Sequence, residues 1–260
     1  MLNLIEHGTP GDGPPLVIAH GLYGSGRNWG VIAKRLSDTR HVITPDMRNH
    51  GQSPWSDSHG YEDLAADIAE VITHAGAPAD LCGHSMGGKA AMALALTRPD
   101  LIRRLIVADI APVAYAHTQQ GMIDAMRAVD LGRVSRRSDA DAQLAAAGIE
   151  PALQSFFTQS LDVAERRWRL NLDALEAEMD RIIGWPDHLA GPFEGPTLFL
   201  SGGASDYVQT EHREHIKTLF PNARFAKIPD AGHWLHAENP RAFEATLRAF
   251  LDAAADLPKS

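Results

Sequence analysis

Short apolar runs alternate with stretches of helical spacing along most of the chain. Leu16–Ala19, His41–Thr44, Ala79–Cys82, Arg104–Ala108, Thr197–Leu200 and Arg224–Ile228 read as strands. They are mostly apolar rather than strictly alternating, as expected of strands covered on both faces. Between them, Tyr61–His74, Gly87–Arg98, Glu211–Phe220 and Arg241–Ala255 carry a helical period. Asn239 followed by Pro240 supplies a cap and a first-turn proline for the last helix. The alternation predicts an α/β fold, a mostly parallel sheet with helices on both faces.

One interval breaks the alternation. From Ala111 to Gly195 helical spacing continues without a convincing strand. Met122, Met126 and Val129 share one face; Leu153, Phe156 and Phe157 share another; Leu172, Leu175, Met179 and Ile182 share a third. Gly184, Pro186, Gly191 and Pro192 then punctuate the return to strand pattern. The expectation is a helical cap over 111–195, inserted into a core made of 1–110 and 196–260. The plainer alternative, ordinary sheet-covering helices, fits less well because several helices follow one another with no strand between.

Composition narrows the class. The 260 residues are 44% apolar and 22% charged, which suits one globular domain with a large core. A net charge of −9 argues against nucleic acid as a partner, since phosphate contacts need a basic face. Net charge speaks mainly to solubility, so it gives only a slight preference for a neutral or cationic small substrate. Cys82 is the single cysteine, so no intrachain disulfide can form, and a reducing compartment fits. Met1–His7 lacks a basic stretch followed by an apolar one, and no apolar run approaches the roughly 20 residues of a membrane span. A cytoplasmic monomer or homodimer acting on a small molecule is the expectation.

Gly83-His84-Ser85-Met86-Gly87 follows a strand and opens an Ala/Leu-rich helix. This is the G-x-S-x-G pattern of a nucleophile elbow: a strained turn holds the serine hydroxyl above the sheet, and small neighbours let the turn close. The alternative, a glycine-rich turn with an idle serine, is poorly served by that context. The Met86 N–H would point from the helix start into the site. A second N–H would come from His20-Gly21-Leu22-Tyr23-Gly24, after the first core strand, with Leu22 the first choice and Tyr23 next. The base must come last in chain order, and His233, after the final strand, fits better than His236. His212 and His215, with Glu211 and Glu214, read as a solvated helix face rather than a metal site, and neither metal nor cofactor is expected.

The acid is ambiguous. In this fold the loop after the penultimate strand usually reads Gly-x-x-Asp-x-x-Val. Here Gly202-Gly-Ala-Ser205-Asp-Tyr-Val208 places Ser205 in that register and Asp206 one residue late. Asp109, ending the strand Arg104–Ala108, is the alternative carboxylate, although it also suits a turn before Pro112.

His20-Gly-Leu-Tyr-Gly24, Asp46-Met-Arg-Asn-His-Gly-Gln-Ser53, Gly83-His-Ser-Met-Gly-Gly-Lys89, Asp109-Ile-Ala-Pro-Val113, Asn171-Leu-Asp-Ala-Leu175, Gly184-Trp-Pro186 and Ala231-Gly-His-Trp-Leu-His-Ala-Glu238 together resemble a branch of bacterial α/β-hydrolase-fold esterases. Related mitochondrial α/β-hydrolase-domain proteins share the pattern. The resemblance runs from about Val17 to Leu251. It implies cofactor-free hydrolysis of short acyl esters or thioesters. It also implies Asp109 as the acid, with Ser205 helping to orient His233. The presence of Asp206 beside Ser205 departs from that pattern and keeps Asp206 as an alternative, with Asp173 a third. Phe156, Phe157, Trp168 and Trp185 are candidate walls for the acyl group. The same residues could also serve C–C bond hydrolysis, lactone opening or acyl transfer, or survive in a non-catalytic binding protein. Ser85 excludes dehalogenase and epoxide-hydrolase chemistry, which needs a carboxylate nucleophile.

Overall fold

The computed structural model describes residues 1–11 and 13–253. In chain order it runs β1 (Asn3–His7), β2 (Leu16–Ala19), α1 (Gly30–Leu36), β3 (Val42–Asp46), α2 (Tyr61–Ala75), β4 (Ala79–His84), α3 (Met86–Thr97) and β5 (Ile102–Ala108). Then come α4 (Gln120–Arg127), α5 (Arg137–Ala146), α6 (Pro151–Thr158), β6 (Leu161–Asp162), β7 (Arg167–Trp168), α7 (Leu172–Ala177) and α8 (Met179–Ile183). The chain returns through β8 (Thr197–Gly202), α9 (His212–Leu219), β9 (Ala223–Ile228), α10 (Leu235–Glu238) and α11 (Pro240–Asp252).

Seven strands form one sheet in the order β1-β3-β2-β4-β5-β8-β9. β1 pairs antiparallel with β3, and every other neighbouring pair is parallel. Successive side chains of a strand point to opposite faces. Leu81 and Val107 accordingly join α2, α3 and α9 in one apolar layer, while Cys82 and Ile106 join α1 and α11 in the other. Burial on both faces is the reason the central strands read as apolar runs. β4 and β5 end side by side, with His84 opposite Ala108, so the residues that follow them emerge together.

Several features depart from the expected elements, among them the helices α1 and α10, which the spacing did not mark. β1 is an additional strand; its residues are half-buried and of mixed polarity, and it gains its hydrogen bonds from the outer side of β3. The interval from 111 to 195 contains the antiparallel ribbon β6–β7, Leu161 opposite Trp168. Strands of two residues are too short to leave a period in the sequence. The last helix begins at Pro240, with the Asn239 side chain accepting from the Ala242 N–H at 3.2 Å; the expected end at Ala255 lies outside the described residues. Among the described residues no helix is long and apolar enough to cross a membrane.

Candidate active site

Ser85 sits between β4 and α3 at φ +52°, ψ −120°, a conformation foreign to ordinary L-residues. The glycines on either side make the turn possible. A Cβ on Gly83 would lie 2.2 Å from the Gly87 carbonyl oxygen, and one on Gly87 would lie 2.5 Å from the Ala19 oxygen. The Ser85 N–H donates to Ala108 O at 3.0 Å, which ties the elbow to the neighbouring strand.

His233 arrives on the loop between β9 and α10. Its Nε2 lies 3.1 Å from Ser85 Oγ, and its Nδ1 lies 2.7 Å from Asp109 Oδ2. A carboxylate only accepts, so Nδ1 carries the proton and Nε2 presents a lone pair to the serine hydroxyl. Asp109 is fully buried at the end of β5. Its Oδ2 also accepts from Ser205 Oγ at 2.5 Å and its Oδ1 from the Gly202 N–H at 2.9 Å. Three donors on one buried carboxylate fix its position and orientation. Asp206 is exposed and makes no hydrogen bond to His233 among the described residues. Asp173, its side chain 93% exposed, pairs with Arg127 instead.

Two rings pack on the imidazole of His233. Tyr207 stacks on it, ring centroids 4.0 Å apart and planes 19° apart, and the His84 ring lies tilted at 42° with centroids 4.8 Å apart. The Tyr207 N–H donates to Ser205 Oγ at 3.3 Å and its carbonyl accepts from Tyr115 Oη at 2.8 Å. The segment that positions Ser205 therefore also places this ring. His84 donates from Nε2 to the His233 carbonyl at 2.8 Å. Burial, with the nearby His233 as a second cause, holds His84 well below the ordinary histidine range, so it stays neutral. His236 stacks on Trp29 with centroids 4.1 Å apart, makes no hydrogen bond to Ser85 Oγ among the described residues, and is pushed down to about 3 by burial.

In the loop after β2, the Tyr23 N–H is already committed to His50 Nε2 at 3.1 Å. Burial holds His50 well below its usual range, which leaves that nitrogen an acceptor. Leu22 N–H has no acceptor among the described residues. Met86 is the first residue of α3 and so has no partner a turn earlier in the helix.

These groups open on a cavity of about 370 Å³. Met122, Leu153, Phe156, Phe157 and Ile182, all from the 111–195 interval, form part of its wall. Trp168 is buried elsewhere, donating from Nε1 to Met126 O at 3.0 Å, and Trp185 lies tilted against Tyr61 with ring centroids 6.3 Å apart; neither lines the cavity. His212 and His215 bond to separate backbone groups, the Gln209 N–H and the Pro112 carbonyl. Among the described residues no group of histidine, cysteine and acidic side chains is arranged to hold a metal.

Two residues at the site were given no role by the sequence. Tyr207 left no signal, because its stacking joins segments that are neighbours only in space. Lys89 left one: it is the sole charged residue of α3, within a Gly/Ala/Leu run.

The model of the α/β-hydrolase fold family matches residues 14–240. The chain is 41% identical to the sn-1-specific diacylglycerol lipase ABHD11 of Mus musculus, covering 92% of this chain and 81% of that protein. It is 36% identical to Esterase YbfF of Escherichia coli (strain K12), over 92% of this chain and 93% of the other. A solved structure described as a marine microorganism esterase superposes with a TM-score of 0.91 at 37% identity, covering 96% of this chain and 98% of that one. The protein thus belongs to the α/β-hydrolase fold family and is an enzyme of its esterase and lipase group.

Proposed function

We propose that the protein hydrolyses carboxylic esters or thioesters of small acyl groups through a covalent acyl-enzyme. Ser85 attacks the carbonyl while His233 Nε2 takes the hydroxyl proton. The Leu22 and Met86 N–H groups receive the developing oxyanion. His233 then gives its proton to the departing alcohol or thiol, and water, activated by the same nitrogen, releases the acid. Asp109 keeps His233 in the productive tautomer and balances the imidazolium, and Ser205 fixes the carboxylate. The carrying observation is the hydrogen-bonded series Ser85–His233–Asp109 facing the cavity. The single, buried Cys82 suits a reducing, cytoplasmic setting.

The test is a series of p-nitrophenyl esters of rising chain length, with Ser85→Ala as the blank. Butyryl turnover should exceed palmitoyl turnover, because the helices of 111–195 narrow the cavity. Ser85→Ala should lose roughly a thousandfold or more. A fluorophosphonate probe should label the wild type only. Full labelling of Ser85→Ala would remove the assignment, and palmitoyl esters turning over faster would remove the small-acyl preference. Product analysis separates hydrolysis from acyl transfer, lactone opening and C–C cleavage on the same residues.

A further inference from the structure

Lys89 is 1% exposed, yet it lines the cavity. It lies in the first turn of α3, its N–H donating to Ser85 O at 3.0 Å. Its Nζ donates to Ile183 O at 2.9 Å and Gly184 O at 2.5 Å, at the end of α8. The rings of Tyr115 and Tyr61 lie 4.9 and 5.6 Å from the same nitrogen. Among the described residues it has no carboxylate partner. Buried lysines are nearly always paired, because a desolvated charge is costly. The contrast within this molecule is plain: the buried Asp80 is met by Arg40 and Arg103.

Anchoring α8 does not require the charge. Tyr61 Oη already donates to Ile182 O at 2.5 Å, and the Tyr115 N–H to Ile183 O at 3.0 Å. An ammonium has three donors, and two are used. Among the described residues no aspartate or glutamate lines the cavity, so a chain of net charge −9 keeps this cationic site free of competing acids.

We propose that Lys89 determines specificity by receiving a carboxylate carried by the ester substrate, in its acyl or its alcohol part. This rests on the esterase reading above and names the class of ester. The incoming anion supplies the counter-charge that the fold withholds, by a charge-assisted hydrogen bond to the third N–H.

The titratable groups facing Nζ are Tyr61 from α2 and Tyr115 after β5. Burial pushes both phenols above their ordinary range, so they stay neutral. The charged residues of α8, Asp180 and Arg181, are exposed, as is Glu62 of α2. Burial holds the Lys89 ammonium down to about 7. The preference for an anionic ester should therefore fall as pH rises through that value.

The experiment compares kcat/KM for monoethyl adipate with ethyl hexanoate, placing the anion in the acyl part. Butyryloxyacetate, the butyryl ester of the glycolate hydroxyl, compared with ethyl butyrate places it in the alcohol part. A pH-stat follows both series. At pH 6 one series should favour the anionic member by about tenfold or more. Lys89→Met should bring that ratio near one or below, while Lys89→Arg keeps part of it. The ratio cancels the shared dependence on His233 and any general loss from a displaced α8. If Lys89→Met does not fold, the decline of the wild-type ratio between pH 6 and pH 8 decides. A ratio at or below one in both series, a ratio unchanged in Lys89→Met, or a flat pH profile overturns the proposal alone. If the wild type hydrolyses no ester of either kind, the esterase reading falls and takes this one with it.

Discussion

The ring of Tyr207 lies nearly parallel to the imidazole of His233, 4.0 Å away, and belongs to the loop that delivers Ser205 to Asp109. The stack packs a flat ring against the imidazole and offers a π face to the imidazolium of the proposed reaction. Tyr207→Ala should lower kcat about tenfold with a smaller change in KM, the size expected of one aromatic pair. Tyr207→Phe should keep most of the activity. Steady-state kinetics on both variants, with circular dichroism for folding, checks this; equal losses would assign the effect to the hydroxyl and its 3.0 Å contact with His117 instead.

Asp109 and Asp206 differ in geometry enough to be separated by rate. Asp109→Asn should cost about 10⁴ in kcat, as amide replacement of a triad acid does, because the wrong tautomer is then held. Asp206→Asn, at an exposed position, should cost tenfold or less. Ser205→Ala removes one of the three donors to the carboxylate and should fall between them. A crippled Asp206→Asn beside an active Asp109→Asn would reverse the assignment.

The elbow makes a stability prediction independent of activity. A methyl group on Gly83 must displace backbone at 2.2 Å, so Gly83→Ala should destabilise by about 3 kcal/mol or more. Gly121 lies in α4 with open space at its Cβ position, and Gly121→Ala should gain about 0.5–1 kcal/mol through helix propensity. Urea titration of the two variants measures the contrast.

Lys89 should also leave a mark on stability against pH. Its folded pKa lies near 7, below the ordinary lysine value of 10.5, so between these limits the unfolded chain binds more protons. Stability from this group must then rise as pH increases through that window, and the burial penalty is felt in full below it. Urea midpoints at pH 7 and pH 9 should show the wild type gaining on Lys89→Met, by up to about 1.4 kcal/mol per pH unit. A parallel pH dependence in the two proteins would contradict a depressed lysine.

What was legible in the sequence follows the range of the interaction. The parallel core strands could be read because burial on both faces writes an apolar run into each. Ser85 and His233 could be read because an elbow and a post-strand loop are local patterns. β1 was hidden by its half-buried, mixed surface, and β6–β7 by brevity. The acid was only partly legible: the register after β8 marked Ser205 and Asp206, but whether either side chain turns toward His233 depends on a loop conformation that no periodicity encodes. The stacked Tyr207 and the two carbonyls on Lys89 join residues far apart in the chain, and nothing local announces them.

The backbone at Ser85 has a thermodynamic consequence. At φ +52°, ψ −120° a side chain is strained by on the order of 1–3 kcal/mol, a conformation that glycine adopts freely. Evolution acting on thermostability alone would therefore have placed glycine there. Ser85→Gly should melt at a higher temperature than its parent, and the difference measures what the protein surrenders to hold a hydroxyl in that turn.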